Sequence, residues 1–165
     1  MALTDLVSAH LRSGQVSRVV YGSIIGLALV LALQAHPPEL RFIIGSLWAT
    51  ALAVALAEFY SEWVGAATRT SMGVEAEHWR VSAADAVGVA FGIAFPSVFF
   101  VVAAFGWMDV DTAFSFAIWT GLLLITAYGY IAARLSGANV VKALFQAATI
   151  GLIAAVLIGV KALLH

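Results

Sequence analysis

The sequence contains no cysteine and few charged residues, and these two absences exclude several classes of protein. Without cysteine there is no disulfide framework, no thiolate metal site and no cysteine nucleophile. Charged residues make up 10% of the chain, against about 25% in a typical soluble domain. Eight basic and nine acidic residues also provide no positive surface for nucleic acid. The apolar fraction of 63% and the mean hydropathy of +1.02 instead indicate a polytopic membrane protein.

Stretches without charged residues set the number of membrane spans. A helix that crosses the hydrocarbon core needs about 20 apolar residues, with a range of about 17–25. Five stretches have about this length, and their apolar runs are continuous, which favours helices. We therefore predict an all-α membrane protein with five transmembrane helices in a single domain, residues 1–165. The predicted spans are about 18–36, 42–63, 86–107, 112–134 and 140–162, after an N-terminal amphipathic lead at 1–17.

The distribution of Lys and Arg predicts the orientation, because these residues are retained on the cytoplasmic side. With the N-terminus inside, only Arg41 and Lys161 of the eight basic residues fall in outer segments. We therefore predict a cytoplasmic N-terminus, an external C-terminus and a location in the plasma (inner) membrane. No HExxH, GxSxG or glycine-rich phosphate loop occurs, so we predict neither an enzyme nor a bound cofactor.

Small residues four apart predict close helix contacts. Gly22 and Gly26 lie on one face of the first span, and Gly88 and Gly92 repeat the spacing on the third. In lipid, such residues allow two backbones to approach closely. The first pair is compatible equally with a dimer interface and with packing inside one subunit.

A proline near the middle of the third span predicts a kink. Pro96 has no N–H and therefore frees the carbonyl of Gly92. Such a kink either serves packing alone or lines a cavity for transport.

Glu58 is the most informative residue of the sequence. A helix that enters the membrane at Phe42 places Glu58 about one turn inside the cytoplasmic edge, with Glu62 one turn further out on the same face. A carboxylate at membrane depth is a functional hypothesis by default. Its alternatives are a glutamate that reaches water, or one paired with Arg69 or Arg80. The two carboxylates suit a proton or a divalent cation, but they fall short of a complete metal shell.

Short motifs follow one another along the five spans. The first three spans contain Tyr21-Gly-Ser-Ile-Ile-Gly-Leu27, Val54-Ala-Leu-Ala-Glu58-Phe-Tyr-Ser61 and Gly92-x-x-x-Pro96. The last two spans add Gly129, Arg134, Gly137, Gly151 and Gly159. In order and spacing these motifs resemble those of the vacuolar iron transporter family over roughly residues 16–164. That family has Phe-Gly-x-x-Asp-Gly-Leu in the first span and Met-Ala-x-Gly-Glu-Tyr-x-Ser in the second.

The resemblance implies a homodimeric, proton-coupled exporter of ferrous iron and manganese, with an ion path between the subunits. Carried over by motif, Glu58 matches the carboxylate of the family's second span, while Gly22 and Gly26 match its dimer-facing glycines. Three departures weaken the implied metal site. Ile25 replaces the first-span aspartate, Val54 replaces the second-span methionine, and the long cytoplasmic helices between spans two and three have shrunk to residues 64–85.

Two functions of different classes remain open from the sequence. The first is a divergent transporter of a cation (Fe²⁺ or Mn²⁺) or another small solute, in which Glu58 and Glu62 handle a metal ion or proton. The alternative is a non-transporting accessory subunit that keeps the scaffold and serves an unidentified membrane protein partner. Both predict a lipid environment and a homodimer, and neither predicts contact with nucleic acid.

Overall fold

Six helices make up the described part of the chain. The structure, a computed structural model, describes residues 13–69 and 76–163. The helices are α1 (Ser13–Ala35), α2 (Leu40–Arg69), α3 (Ala76–Ala94), α4 (Ser97–Ala104), α5 (Val110–Leu135) and α6 (Val140–Leu163). No strand occurs in these two ranges. The prediction of an all-helical fold is therefore confirmed for the described residues, whereas most of the predicted N-terminal lead lies outside them.

The helices end where the sequence offers residues that stop them. Pro37 and Pro38 follow α1 and cannot continue it. Gly106 and Gly137 have φ values of 78° and 82° in the turns after α4 and α5, a conformation that glycine adopts without steric cost. Between the second and third predicted spans, helix covers residues 64–69 and 76–85.

Asp109 begins α5 as its N-terminal cap. Its side chain accepts hydrogen bonds from the Thr112 backbone N–H at 2.7 Å and from the Thr112 hydroxyl at 2.8 Å. These bonds stabilise the charged carboxylate and hold the pKa of Asp109 below its ordinary value of 3.8. The cap thus satisfies one of the backbone N–H donors at the start of α5.

The third predicted span is broken at Pro96. α3 and α4 meet at an angle of 47°. Because Pro96 has no N–H, the regular ladder stops there, and Val98 and Phe99 donate instead to the Phe95 and Pro96 carbonyls at 3.2 Å each. The bend therefore lies at the proline where the sequence predicts it.

Three described helices are long and apolar enough to cross a membrane, within Val16–Ala35, Leu40–Gly65 and Val110–Arg134. The bent pair α3–α4 makes a fourth if it is one span. Large apolar side chains on the outside of the bundle, such as Trp48, Trp119 and Phe145, are exposed. Such a continuous apolar exterior suits a bilayer.

The helices enclose three apolar clusters. α1 packs against α3 and α5, α2 packs against α3 and α4, and α6 packs against α5. The largest cluster joins α1, α2, α4 and α5, with Phe100 and Phe114 in an edge-to-face contact, ring centroids 4.8 Å apart. A second cluster, which bears on the site below, contains Ala51, Val89 and Ile93.

The glycines of the first span contact α3 of the same chain. A Cβ atom on Gly22 would lie 2.1 Å from the Val89 carbonyl oxygen, and one on Gly26 would lie 3.0 Å from the Gly92 carbonyl oxygen. Gly92 is also closely packed, since a Cβ atom on it would lie 2.5 Å from the Ser23 backbone nitrogen. Gly22 and Gly26 therefore pack against α3 inside the subunit, which is one of the two alternatives that the sequence left open. A dimer interface at these glycines stays a prediction.

Candidate functional site

One arginine and three carboxylates meet where α1, α2 and α3 approach one another. The Arg18 guanidinium is ion-paired with Glu58 through Nη1, lies 3.5 Å from Glu62 Oε1 through Nη2, and lies 3.6 Å from Asp85 Oδ2 through Nε. We call these four residues the charge cluster. With one positive and three negative groups, it carries a formal charge of −2 when all four are ionised.

The glycine contact explains why Arg18 and Asp85 meet. α1 and α3 run in the same direction, since Gly22 lies against Val89 and Gly26 against Gly92. One turn before Gly22 and Val89 come Arg18 and Asp85, which therefore lie opposite each other. The close backbone contact between α1 and α3 therefore sets the register that brings Arg18 opposite Asp85.

Glu58 and Glu62 reach the same arginine from α2. They are four residues apart and so lie on one face of that helix, as the sequence predicts. Glu58 and Asp85 are the more enclosed carboxylates, with 18% and 15% of their side chains exposed, whereas Glu62 is 32% exposed. The cluster is therefore deepest at Glu58 and Asp85 and opens to its surroundings at Glu62.

Sequence reasoning missed two members of this cluster. It considered Arg69 and Arg80 as partners of Glu58, whereas the described ion pair is with Arg18. In the sequence, Asp85 is only the residue directly before the third predicted span, 86–107. The predicted topology contained the missing signal, because it places the start of spans one and three and the end of span two on the same side of the membrane.

Two apolar side chains, Ile25 and Val54, lie in the core beside the charge cluster. Ile25 and Val54 both pack against the cluster of Ala51, Val89 and Ile93. Hydrocarbon therefore fills the space between α1, α2 and α3 next to the charge cluster. Within residues 13–69 and 76–163, no group of three or more His, Asp or Glu side chains is arranged to hold a metal ion.

The arrangement is suited to exchanging one cation for another. A guanidinium donates planar, directed N–H groups and keeps its charge at any physiological pH. Carboxylate oxygens bind protons and hard cations. The three carboxylates surround Arg18, and an incoming cation would compete with it for Glu58.

Comparison with protein-family models, with curated proteins and with solved structures finds no match. Function is therefore argued from the charge cluster and its surroundings.

Proposed function

We propose that the chain is an integral membrane transporter of a cation or another small solute, divergent from the vacuolar iron transporters, in which Glu58 is the ion ligand or proton carrier. The observation that carries the proposal is the excess of two carboxylates around Arg18. Keeping partly buried charges at a membrane edge is costly, and such charges commonly mark an ion pathway. A net negative site attracts cations and protons. The positive charge of Arg18 offsets part of the repulsion between the three carboxylates.

The proposed cargo differs from the iron and manganese that the resemblance implies. Ile25 and Val54 replace a carboxylate and a thioether with hydrocarbon, and both pack in an apolar cluster. Iron and manganese export therefore becomes the weaker form of the proposal, because the site lacks two of the ligands that the resemblance implies. A proton, or a cation that needs no complete set of metal ligands, is the stronger form.

Glu58→Gln is expected to reduce ion-coupled proton flux in proteoliposomes by at least about tenfold, because the neutral amide neither carries a proton nor binds a cation. An internal pH dye would follow flux driven by gradients of Na⁺, K⁺, Mn²⁺ or Fe²⁺. The matched control is Glu39→Gln, since Glu39 is also paired with an arginine, Arg41, but is 69% exposed in a turn. Equal flux in Glu58→Gln and the parent would contradict the role of Glu58.

A non-transporting accessory subunit is the second candidate. It is favoured by the ion pair of Arg18 with Glu58, which already gives that carboxylate a partner, and by the apolar side chains at positions 25 and 54. In that case the parent protein would carry no flux above that of empty vesicles under any of the four gradients.

The proposed topology has five spans, with α6 as the fifth, a cytoplasmic N-terminus and the charge cluster near the cytoplasmic edge. Because the chain has no cysteine, single cysteines report position directly. In intact cells, cysteine at Asp111 is expected to react with an impermeant maleimide, and cysteine at Ser136 is expected to react only after permeabilisation. The reverse pattern would invert the orientation and move the charge cluster to the outside.

A homodimer in the plasma membrane completes the proposal. With Gly22 and Gly26 occupied by α3, a second copy would contact a different surface of the subunit. Gly26→Leu is consequently expected to act on folding of the subunit rather than on the dimer.

A further inference from the structure

α1 and α3 pack tightly together at the level of the charge cluster. A Cβ atom on Gly22 would lie 2.1 Å from the Val89 carbonyl oxygen, so the two backbones touch one turn away from Arg18 and Asp85. Buried side chains flank these charged residues on both helices, namely Val16, Val19, Ser82 and Ala86. α1 also packs much more extensively on α3 than on α2. The two helices therefore form one unit, which we call the α1–α3 unit, and its packing does not depend on the ion pairs.

α2 is loosely packed in the half that carries Glu58 and Glu62. Ala51 is the last buried residue before these carboxylates, and no residue from 52 to 65 is buried. Val54 is the last side chain of α2 that joins an apolar cluster of the described residues. Because close packing holds helices together in lipid, this half of α2 is held less firmly than the half that precedes Ala51.

The ion pairs of Arg18 join the loosely packed half of α2 to the α1–α3 unit. On α2, Arg18 is paired with Glu58 through Nη1 and lies 3.5 Å from Glu62 Oε1 through Nη2. On α3, it lies 3.6 Å from Asp85 Oδ2 through Nε. The contact with Asp85 therefore stays inside the α1–α3 unit, whereas the contacts with Glu58 and Glu62 cross to α2 and require negative charge there.

We propose that Arg18 is a latch that holds the second half of α2 against the α1–α3 unit, and that a proton or a cation on Glu58 releases it. Neutral Glu58 no longer attracts the guanidinium, whereas the attraction of Asp85 persists. Arg18 then stays with α3, and the loosely packed half of α2 moves away from α1. This inference rests on the proposed function and describes the regulation of its site. The ion shifts the equilibrium towards the released arrangement because it binds Glu58 more tightly once Arg18 has left.

The test measures distances between spin labels by double electron–electron resonance on the full chain in phosphatidylcholine nanodiscs. Because the chain has no cysteine, introduced cysteines carry the only labels. Labels at Tyr21 and Ser61, which are exposed on α1 and α2, report the latch. Labels at Tyr21 and Val87, which is exposed on α3, report the α1–α3 unit as a reference. Glu58→Gln is expected to lengthen the α1–α2 distance by more than about 2 Å, the upper size of a helix shift at a packed interface, and to leave the reference distance unchanged.

Asp85→Asn is the matched control for Glu58→Gln. It makes the same chemical change to another carboxylate beside the same arginine, but on α3 instead of α2. Both distances are expected to stay as in the parent, because the glycine contact holds α1 on α3 and Glu58 still holds α2. A changed reference distance in Glu58→Gln would show that this variant has lost its fold. Glu62→Gln then decides, since a longer α1–α2 distance alone would support the latch and an unchanged one would overturn it.

The outcomes separate the latch from the proposed function. Equal α1–α2 distances in Glu58→Gln and the parent, or equal lengthening in Glu58→Gln and Asp85→Asn, would each overturn the latch. Ion flux that depends on Glu58 would still support transport in that case. Conversely, lengthening in Glu58→Gln alone, in a protein whose flux never exceeds that of empty vesicles, would support the latch and reject transport.

Discussion

Gly22→Ala is expected to lower the free energy of unfolding by about 3 kcal/mol, the upper end of what an overpacked contact costs. The added Cβ would lie 2.1 Å from the Val89 carbonyl oxygen, a backbone atom that no side-chain rotation can move. α1 and α3 must then separate, and the register that brings Arg18 to Asp85 is lost with them. Unfolding in mixed micelles of dodecyl maltoside and SDS, followed by circular dichroism, would measure the change.

Other glycines provide a graded control for this prediction. Gly26→Ala brings a Cβ to 3.0 Å from its neighbours and is expected to cost less, since a shift of a few tenths of an ångström relieves it. Gly45→Ala on α2 has no atom within 4 Å and is expected to be neutral or slightly stabilising, because alanine favours helix over glycine. Equal stability of the Gly22 and Gly45 variants would show that α1 and α3 do not touch at Gly22. A loss of dimer without loss of folding stability would restore the dimer interface at this face.

Arg18→Gln is expected to lower the free energy of unfolding by about 2 kcal/mol, between the values typical of exposed and of fully buried ion pairs. The substitution removes the one positive group of the charge cluster and leaves Glu58, Glu62 and Asp85 to repel one another. Arg41→Gln is the matched control. Arg41 is also ion-paired, with Glu39, but its side chain is 85% exposed, so we expect a change below about 0.5 kcal/mol.

A double-mutant cycle isolates the contribution of the Arg18–Glu58 contact. Adding Glu58→Gln to Arg18→Gln is expected to recover part of the lost stability, because the second substitution removes the carboxylate left without its partner. A coupling energy of about 1–2 kcal/mol would support direct pairing. Additive effects of the two substitutions would mean that they do not interact in the folded protein.

The two predictions bear differently on the proposed function. Gly22 acts through the packing of α1 on α3, so its replacement is expected to lower flux only as far as it lowers the folded fraction. Arg18 competes with any incoming cation for Glu58. In molecules of Arg18→Gln that still fold, the ion-coupled proton flux is therefore expected to change, whereas a purely structural arginine would leave it unchanged.

Local features of the sequence predict that the fold is helical and where its bend and its paired carboxylates lie. Charge-free stretches located the helices, since burying a charge in hydrocarbon is costly enough to exclude it from most of a span. Pro96 located the bend, because a missing N–H interrupts a helix in any surroundings. The spacing of Glu58 and Glu62 placed both on one face of α2, which helical geometry alone requires. Each of these features depends on residues within one helix, so rules that describe a single helix predict it.

Which helix surfaces meet is known only from the way the helices pack. Glycines four apart permit close contact with any neighbouring helix, and nothing in their spacing distinguishes α3 of the same chain from a second copy. Likewise, Arg18 and Asp85 are far apart in sequence, and they meet because the backbone contact of Gly22 with Val89 sets the register of two helices that run in the same direction. Partners of this kind follow from packing between helices, whereas sequence periodicity describes one helix at a time.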